Sequence, residues 1–529
     1  MPDVVVIFEP SGLRLLVESG TTILDAARLV GLDIANDCGG RGTCGKCKVT
    51  MHPAGEPTSR DSENLSNQEI ESGIRLACRQ KITERTRILL PTRQGHIQIL
   101  TTSKSKEWAG DSGLEGQYGV AVDLGTTTIV VYLLNLADGV QIAQSQSLNP
   151  QSTFGEDVIS RIMYATKEGG ADTLQQQVVD NLNQQISQLL ENSKIDPNQL
   201  TRMVVVGNTV MHHLLLKADT QPLGMTPYQP SITGPITING QQLGLKAGTA
   251  TEVYLPPNIA GFVGGDTVGF ILSQQLDQVD DIVIGVDIGT NGEIVLSDRG
   301  KMYCCSAAAG PAFEGATILQ GMRGQAGAIE YLSIVDKDEK PEITVIGGGL
   351  PQGICGSAIV DVVAELHRFG ILEDSGQIRG NSRRIVEDEK LGRAYIIVDE
   401  EESVTGNQIL FTQKDVRQVQ LAKAAIRAGC ALLLEEAEIE VSEISRILLA
   451  GAFGNYIHPS NALAIGLLPK VDLSQIYPVG NAAGEGAKGL LLSKNNRDIV
   501  ERFVDEITYV ELASHKKFQE TFLKFIRIF

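Results

Sequence analysis

The 529-residue chain is poor in cysteine for its length, has no block of consecutive lysines or arginines, and has no apolar run long enough to span a membrane. Eight cysteines in so long a chain cannot make a disulfide scaffold. The formal charge is 45 − 64 = −19, with a pI near 4.9, which disfavours nucleic acid and anionic membrane as partners. The opening MPDVVVIFEP lacks a basic region followed by a small-residue cleavage site, so a cytoplasmic protein is expected. What is present is the composition of a folded enzyme: 42% hydrophobic residues, 21% charged residues and 56 glycines that suit tight turns. The length exceeds what one core organises, so at least two domains are expected.

The cysteines that exist are unevenly spread, four of them lying between residues 38 and 78. Cys38, Cys44 and Cys47 form a C-x5-C-x2-C run in DCGGRGTCGKCKV, and Cys78 follows after 30 intervening residues. Four thiolates complete the coordination of a two-iron cluster, and the interleaved glycines let a tight loop wrap it and aim amides at its sulfurs. Zinc is the alternative, but zinc ribbons present two C-x2-C pairs on separate knuckles, unlike three cysteines on one glycine-rich loop. The spacing resembles the 2Fe-2S ferredoxins, whose plant-type members have C-x4-C-x2-C; the extra residue resembles the adrenodoxin-like branch. Around it, residues 4–8 and 12–17 read as strands, a short helix follows from Thr22, and Arg87–Pro91 closes the domain. Cys304, Cys305, Cys355 and Cys430 lie among apolar or small residues and read as core.

From Tyr118 onward one pattern occurs twice. YGVAVDLGTTTIVVYLLNLADG and IVIGVDIGTNGEIVLSDRG are each an apolar strand ending in aspartate, a Gly-Thr turn, a second strand and a hairpin into a third. In the first copy Asp123 precedes Gly125, Thr126, Thr127 and Thr128; in the second Asp287 precedes Gly289, Thr290 and Asn291. Backbone amides and hydroxyls in such turns cradle phosphate oxygens, so two hairpins would grip one polyphosphate from opposite sides, with the aspartates serving Mg2+ through water. A third element, a strand followed by Gly451, Ala452, Phe453 and Gly454, offers bare backbone against which adenosine can lie. Asp266, in a Gly-Asp turn 21 residues before Asp287, reads either as a group that orients or activates a water or as ordinary exposed turn chemistry. A helical face is marked by Val419, Ala422, Ile426, Gly429 and Leu433. Adjacent His212 and His213 point differently and make a poor ligand pair. In NPQSTFGEDVISRI, Asp157 reads as a helix start continued by Arg161, and interlobe contact or partner docking is the sharper alternative.

The order of the three elements resembles the phosphate, phosphate and adenosine motifs of the acetate and sugar kinase, heat-shock-70 and actin superfamily. In that superfamily Gly207 and Asn208 would fall in an interlobe connecting segment, and Asp266 would match the base of the sugar kinases. The expected architecture is multidomain α+β and α/β: a β-grasp, ferredoxin-like domain over residues 1–92, a linker over 93–116, and a duplicated RNase H-like domain with lobes at 117–280 and 281–529.

The motifs DCGGRGTCGKC, VDLGTTT, NPQSTFGEDVISRI, VGNTVMHHL, VDIGTNGE, AAAGPAFEG, GICGSAIVD and LLAGAFGNYI together resemble the ATP-dependent reductive activators of corrinoid proteins. The resemblance implies a 2Fe-2S cluster, ATP and Mg2+ as cofactors, and an electron taken from a low-potential donor. It implies delivery of that electron to a Co(II) corrinoid protein or cobalamin-dependent methyltransferase, and a homodimer. Longer members carry a middle domain that the short linker here leaves no room for. The alternatives are an ATP-driven activator of another metalloenzyme, or a small-molecule kinase or ATP-binding protein with an iron-sulfur redox sensor.

Overall fold

The computed structural model describes residues 3–9, 13–29, 32, 34, 42, 47–90, 108, 110–155, 157–248, 250–454 and 456–528. The chain divides into two compact units, the smaller made of Met1–Gln98 with His458–Ala462 and the larger of Ile99–Ile457 with Leu463–Phe529. Among the described residues no helix is long and apolar enough to cross a membrane.

The smaller unit is a five-stranded mixed sheet. Its elements are β1 (Asp3–Glu9), β2 (Leu13–Glu18), α1 (Ile23–Leu29), β3 (Lys48–His52), α2 (Ser59–Asn64), α3 (Asn67–Glu71), β4 (Ile74–Leu76) and β5 (Thr86–Leu89). The order is β2-β1-β5-β3-β4, with β1 and β5 parallel and the other pairs antiparallel. Val6, Phe8, Ile23, Ala26, Ala27, Leu76 and Ile88 form its core with both described cysteines. Thr58 and Ser66 each cap a helix in a reciprocal box, with Asp61 and Glu69 three residues on.

The larger unit contains two six-stranded sheets of like topology. The first uses β6 (Tyr118–Leu124), β7 (Thr128–Asn135), β8 (Gln141–Leu148), β9 (Leu200–Gly207), β10 (Ile236–Asn239) and β11 (Glu252–Leu255), ordered β10-β11-β9-β6-β7-β8. Its helices are α4 (Val158–Ala165), α5 (Gly170–Ser193), α6 (Thr209–Leu216), the one-turn α7 (Gly240–Leu243) and α8 (Gly265–Gln274). The second sheet begins with β12 (Ile282–Ile288), β13 (Gly292–Asp298) and β14 (Lys301–Ala307). Two three-stranded sheets follow, one of β15 (Ala328–Ser333), β16 (Glu342–Val345) and β17 (Gly353–Ile354), the other of β18 (Ile385–Asp388), β19 (Gly392–Val398) and β20 (Ile409–Thr412). Strands β21 (Arg446–Ala450), β22 (Ile476–Gly480) and β23 (Thr508–Tyr509) complete the order β22-β21-β12-β13-β14-β23. The second lobe's helices are α9 (Gly356–Arg368), α10 (Gln413–Glu436), α11 (Gly451–Gly454), α12 (Pro459–Ala464), α13 (Ala482–Leu492), α14 (Lys494–Val504) and α15 (Phe518–Lys524).

In both sheets a three-strand antiparallel meander is extended by two parallel strands on the far side of its first strand: β9 and β11 beside β6, β21 and β22 beside β12. The sequence duplication is therefore a duplication of topology. Strands β6 and β12 are covered on both faces, which is why they read as continuous apolar runs broken only by their terminal aspartates. The five residues of the predicted α10 face, Val419 through Leu433, are all buried.

One apolar core joins the lobes, drawing on Tyr132 and Val204 from the first sheet, Val283 and Leu448 from the second, and α8 and α13 between them. These two helices cross so closely that a Cβ on Gly486 would lie 2.0 Å from the Gly269 carbonyl oxygen. The end of the predicted linker is fastened to this core: Trp108 lies against Gly489, the Asp111 amide donates to the Leu492 carbonyl, and the Asp111 carboxylate pairs with Arg202 at 2.8 Å.

Candidate functional site

In the smaller unit Cys47 immediately precedes β3 and Cys78 follows β4, and β3 and β4 pair antiparallel. The Ala77 amide donates to the Cys47 carbonyl at 2.9 Å, and buried Asp61 accepts from the Leu76 amide at 2.7 Å, pinning α2 under the cysteine turn. Both thiols are buried, with their sulfurs 3.3 Å apart. That is far longer than a disulfide bond of about 2.05 Å, and close to the ~3.8 Å edge of a thiolate tetrahedron with metal–sulfur bonds of about 2.3 Å. The pair therefore fits two ligands of one metal. Gly42 has φ +76°, and a Cβ there would lie 2.7 Å from Arg79 Nε, so the loop does use glycine's conformational freedom. Cys38 and Cys44 lie outside the described residues.

The two Gly-Thr turns join β6 to β7 and β12 to β13. The Gly125 amide donates to the Thr128 carbonyl and the Gly289 amide to the Asn291 carbonyl, so these two amides close the turns instead of facing a ligand. Side-chain donors at the turns are then the hydroxyls of Thr126, Thr127, Thr128 and Thr290 and the Asn291 amide. The third motif arrives beside the second turn: Gly451 follows β21, which runs parallel to β12 with Ala450 opposite Asp287. Gly451 has φ +88°, and a Cβ on it would lie 2.4 Å from Asp287 Oδ1. Gly451 through Gly454 form the single turn α11; the side chains of Ala452 and Phe453 are not described.

Asp123, Asp266 and Asp287 converge, each only partly exposed. Burial pushes Asp123 up to about 7; an Asn481 hydrogen bond opposes this and the charge of Asp266 adds to it. Asp287 also rises to about 7, through burial and then the charges of Asp266 and Asp123. Asp266 sits in the first turn of α8, and burial raises it to about 6 against the amides of Thr267 and Gly264. Glu293, on β13, is raised well above the ordinary range by burial and by the charges of Asp266 and Asp287. Buried carboxylates that repel one another are an oxygen donor set suited to a hard divalent cation, which would draw them back to the ionised state.

Sequence reading missed two parts of this site, Asn481 and Glu293, and considered Glu314 only for a place near magnesium. Asn481, the N-cap of α13, donates to Asp123 Oδ2 at 2.7 Å, and Tyr132 lies within reach of the same amide. Glu293 ends the motif VDIGTNGE, but the sequence reading gives it no role. Glu314, from AAAGPAFEG, accepts from the Thr127 hydroxyl at 2.9 Å and from the Thr290 hydroxyl at 2.6 Å, so one carboxylate spans both turns. The cluster in NPQSTFGEDVISRI lies just behind the first turn: Asn149 donates to the Gly125 carbonyl, Asp157 caps α4, and Arg161 is fully buried with its Nε on the Gly155 carbonyl. Asn208 caps α6 at the end of β9 and donates to the Phe262 carbonyl, so it is a buried helix cap. His213 receives the Ser231 and Ile232 amides on Nε2, and His212 contacts the Val205 carbonyl; both are packed structural histidines. Cys304, Cys305, Cys355 and Cys430 are buried, with thiols pushed up first by burial.

A ferredoxin-type sheet with paired cysteines, joined to a two-lobed nucleotide-type domain whose duplicated hairpins face one another, defines an iron-sulfur protein with an ASKHA domain. Residues 6–83 match the 2Fe-2S iron-sulfur cluster binding domain, 118–279 the RACo middle region, and 281–528 the C-terminal domain of RACo, the ASKHA domain. The chain is 40% identical over 417 residues to the corrinoid activation enzyme RamQ of Eubacterium limosum, covering 77% of this chain and 69% of that protein. It is 24% identical to the Co(II) methylated amine-specific corrinoid protein reductase of Methanosarcina barkeri, over 77% of this chain and 76% of that one. The solved structure of a reductive activator for corrinoid, iron-sulfur protein superposes with a TM-score of 0.73 at 30% identity, over 99% of this chain and 98% of that one. The chain belongs to the RACo family. The expected absence of a middle domain is thereby corrected: the RACo middle region is the stretch read as the first lobe, because that lobe repeats the second lobe's strand-turn-strand pattern and was taken wholly as its duplicate.

Proposed function

We propose that this protein delivers one electron from a cluster on its N-terminal unit to the cobalt of a corrinoid protein, taking Co(II) to Co(I), with ATP bound and hydrolysed at the paired hairpins. The observation that carries this reading is the presence, in one chain of this family, of a buried cysteine pair on a ferredoxin sheet and two facing Gly-Thr turns over converging aspartates. Cys38, Cys44, Cys47 and Cys78 would hold the 2Fe-2S cluster, which supplies a one-electron carrier when bound. Thr126, Thr127, Thr128, Thr290 and Asn291 would bind phosphate oxygens, on turns shaped by Gly125 and Gly289. Asp123, Asp266 and Asp287 would hold hydrated Mg2+, and the Gly451–Gly454 backbone would receive adenosine.

Nucleotide is needed because the electron travels uphill: each 100 mV opposes transfer by about 2.3 kcal/mol per electron. Binding can contribute only through a difference in affinity between two states of the protein, and the α8–α13 crossing between the lobes is the element placed to differ. The test is a division of labour. Cys44→Ser should abolish Co(I) formation while sparing Mg-ATP binding, and Asp287→Ala should do the reverse to the nucleotide while sparing the cluster's visible absorbance. ATP-stimulated reduction surviving in Asp287→Ala would overturn the nucleotide assignment.

A further inference from the structure

We infer that Glu314 positions the water that attacks ATP and accepts its proton. The inference rests on reading the two Gly-Thr turns as phosphate grips. Its basis is the bridge: Glu314 Oε2 accepts from Thr127 Oγ1 at 2.9 Å, and Oε1 accepts from Thr290 Oγ1 at 2.6 Å. A carboxylate touching both phosphate-binding hydroxyls stands one hydrogen-bond layer from the terminal phosphoryl group. Two negative groups in direct contact repel strongly where water is scarce, so what fits between the carboxylate and a phosphate is a neutral or positive species.

The charge of Asp266 acts on Asp123, and the charges of Asp266 and Asp123 act on Asp287, whereas the charge of Glu314 acts on Arg161. Cation binding thus belongs to the aspartates, and a water suits Glu314. Arg161 is fully buried and, among the described residues, Nη2 has no hydrogen-bond partner; burial pulls it down to about 10, opposed by the charges of Asp157 and then Glu314, so it remains a cation whose field reaches this carboxylate.

The Glu314 backbone is built to stay in place. The Glu314 and Ala316 amides both donate to the Pro311 carbonyl, Phe313 is buried, and Gly315 has φ +82°, with the Met322 amide 2.7 Å from where its Cβ would be. The Leu319 amide then ties the loop to Asp415 in the first turn of α10. Such preorganisation is what a proton acceptor requires. Asp266 Oδ1, by contrast, accepts from the Thr267 amide of its own helix start at 2.7 Å, and no hydrogen bond ties it to either Gly-Thr turn among the described residues.

In the step, the water oxygen bonds to the γ-phosphorus while the bond from that phosphorus to the β–γ bridging oxygen breaks. ADP leaves with the bonding pair, and the water's proton passes to Glu314 and on to solvent. Glu314→Gln keeps the size and a hydrogen-bonding group for each threonine but cannot take the proton. In the full-length reconstituted protein, Glu314→Gln should bind Mg-ATP with a Kd, and show a KM, within about threefold of the unaltered protein, with kcat for hydrolysis reduced roughly 100- to 1,000-fold. Glu314→Asp, which keeps a carboxylate one methylene short, should hydrolyse ATP faster than Glu314→Gln, though below the unaltered rate. A Glu314→Gln protein that hydrolyses ATP within threefold of the unaltered one would overturn the inference, leaving Glu314 a clasp between turns. Failure of the unaltered protein to bind Mg-ATP would instead overturn the nucleotide reading on which it rests.

Discussion

Gly451→Ala places one methyl group in the tightest contact of the candidate nucleotide site. At φ +88° an L-residue is strained by roughly 1–3 kcal/mol before any clash is counted. The new Cβ would lie 2.4 Å from Asp287 Oδ1 and 2.9 Å from the Ile288 carbonyl oxygen, both under the 3.0 Å that Cβ atoms keep. The carbonyl cannot retreat, because β12 is paired on both sides, with β13 and with β21. The carboxylate must therefore rotate away from the position in which it would serve a cation. If one to two thirds of the strain falls on nucleotide binding, Mg-ATP affinity drops on the order of 10-fold, at about 1.4 kcal/mol per decade. The remainder lowers the melting temperature of the larger unit by a few degrees. Calorimetric titration with Mg-ATP and a thermal melt read the two parts separately, and the visible absorbance of the cluster serves as an internal control that should not change. Combined with Asp287→Ala, the affinity losses should be markedly less than additive, because the clash acts through that carboxylate. Gly451→Ala binding Mg-ATP within threefold and melting within a degree of the unaltered protein would refute the placement of the third motif against the second hairpin.

Two other perturbations follow from the same structure. His212 is buried, and its pKa is lowered from 6.5 to about 4 by burial and then by His213. A depressed folded-state value means stability that is present above pH 6.5 and lost as pH falls through 4, on the order of 3 kcal/mol at ~1.36 kcal/mol per unit. Chemical denaturation between pH 7 and 4 should show this slope, and His212→Gln should flatten it; an unchanged slope would mean that His212 does not carry the acid sensitivity. Trp108 is the sole tryptophan, so its fluorescence reports the linker anchor alone. Gly489→Val intrudes on a ring that a bare Cβ already meets at 2.7 Å, and should red-shift the emission, while unshifted emission would contradict the anchoring of Trp108 on α13.

Local chemistry was legible in the sequence wherever it is contiguous. Each hairpin carries its aspartate, glycine and threonines within a few residues, and the cysteine run carries its own glycines, so both were readable without a fold. Parts of the site supplied from a distance were not. Asn481 reaches Asp123 across 358 positions and Glu314 reaches Thr127 across 187, and neither has a local signal stronger than a helix cap or a turn. Asp266 stood between catalysis and an exposed turn because burial is set by α8 and its neighbours, which residue spacing does not reveal; the structure places it among the aspartates. For Asn208 the superfamily resemblance implies a connecting segment and the residues alone allow an asparagine turn, whereas its bonds to Val210 and Phe262 decide for a helix cap. The middle region was overlooked for a related reason, since the pattern that identified the first lobe was the one it shares with the second.

The central claim is ATP-dependent electron delivery to a corrinoid, and it is tested most directly under anaerobic conditions. The reconstituted, chemically reduced protein is mixed with a Co(II) corrinoid methyl-transfer protein, and Co(I) absorbance is followed with and without Mg-ATP. Co(I) should appear only when Mg-ATP is present. Co(I) forming equally well without nucleotide, or not forming at all with an intact cluster and bound Mg-ATP, would contradict the account.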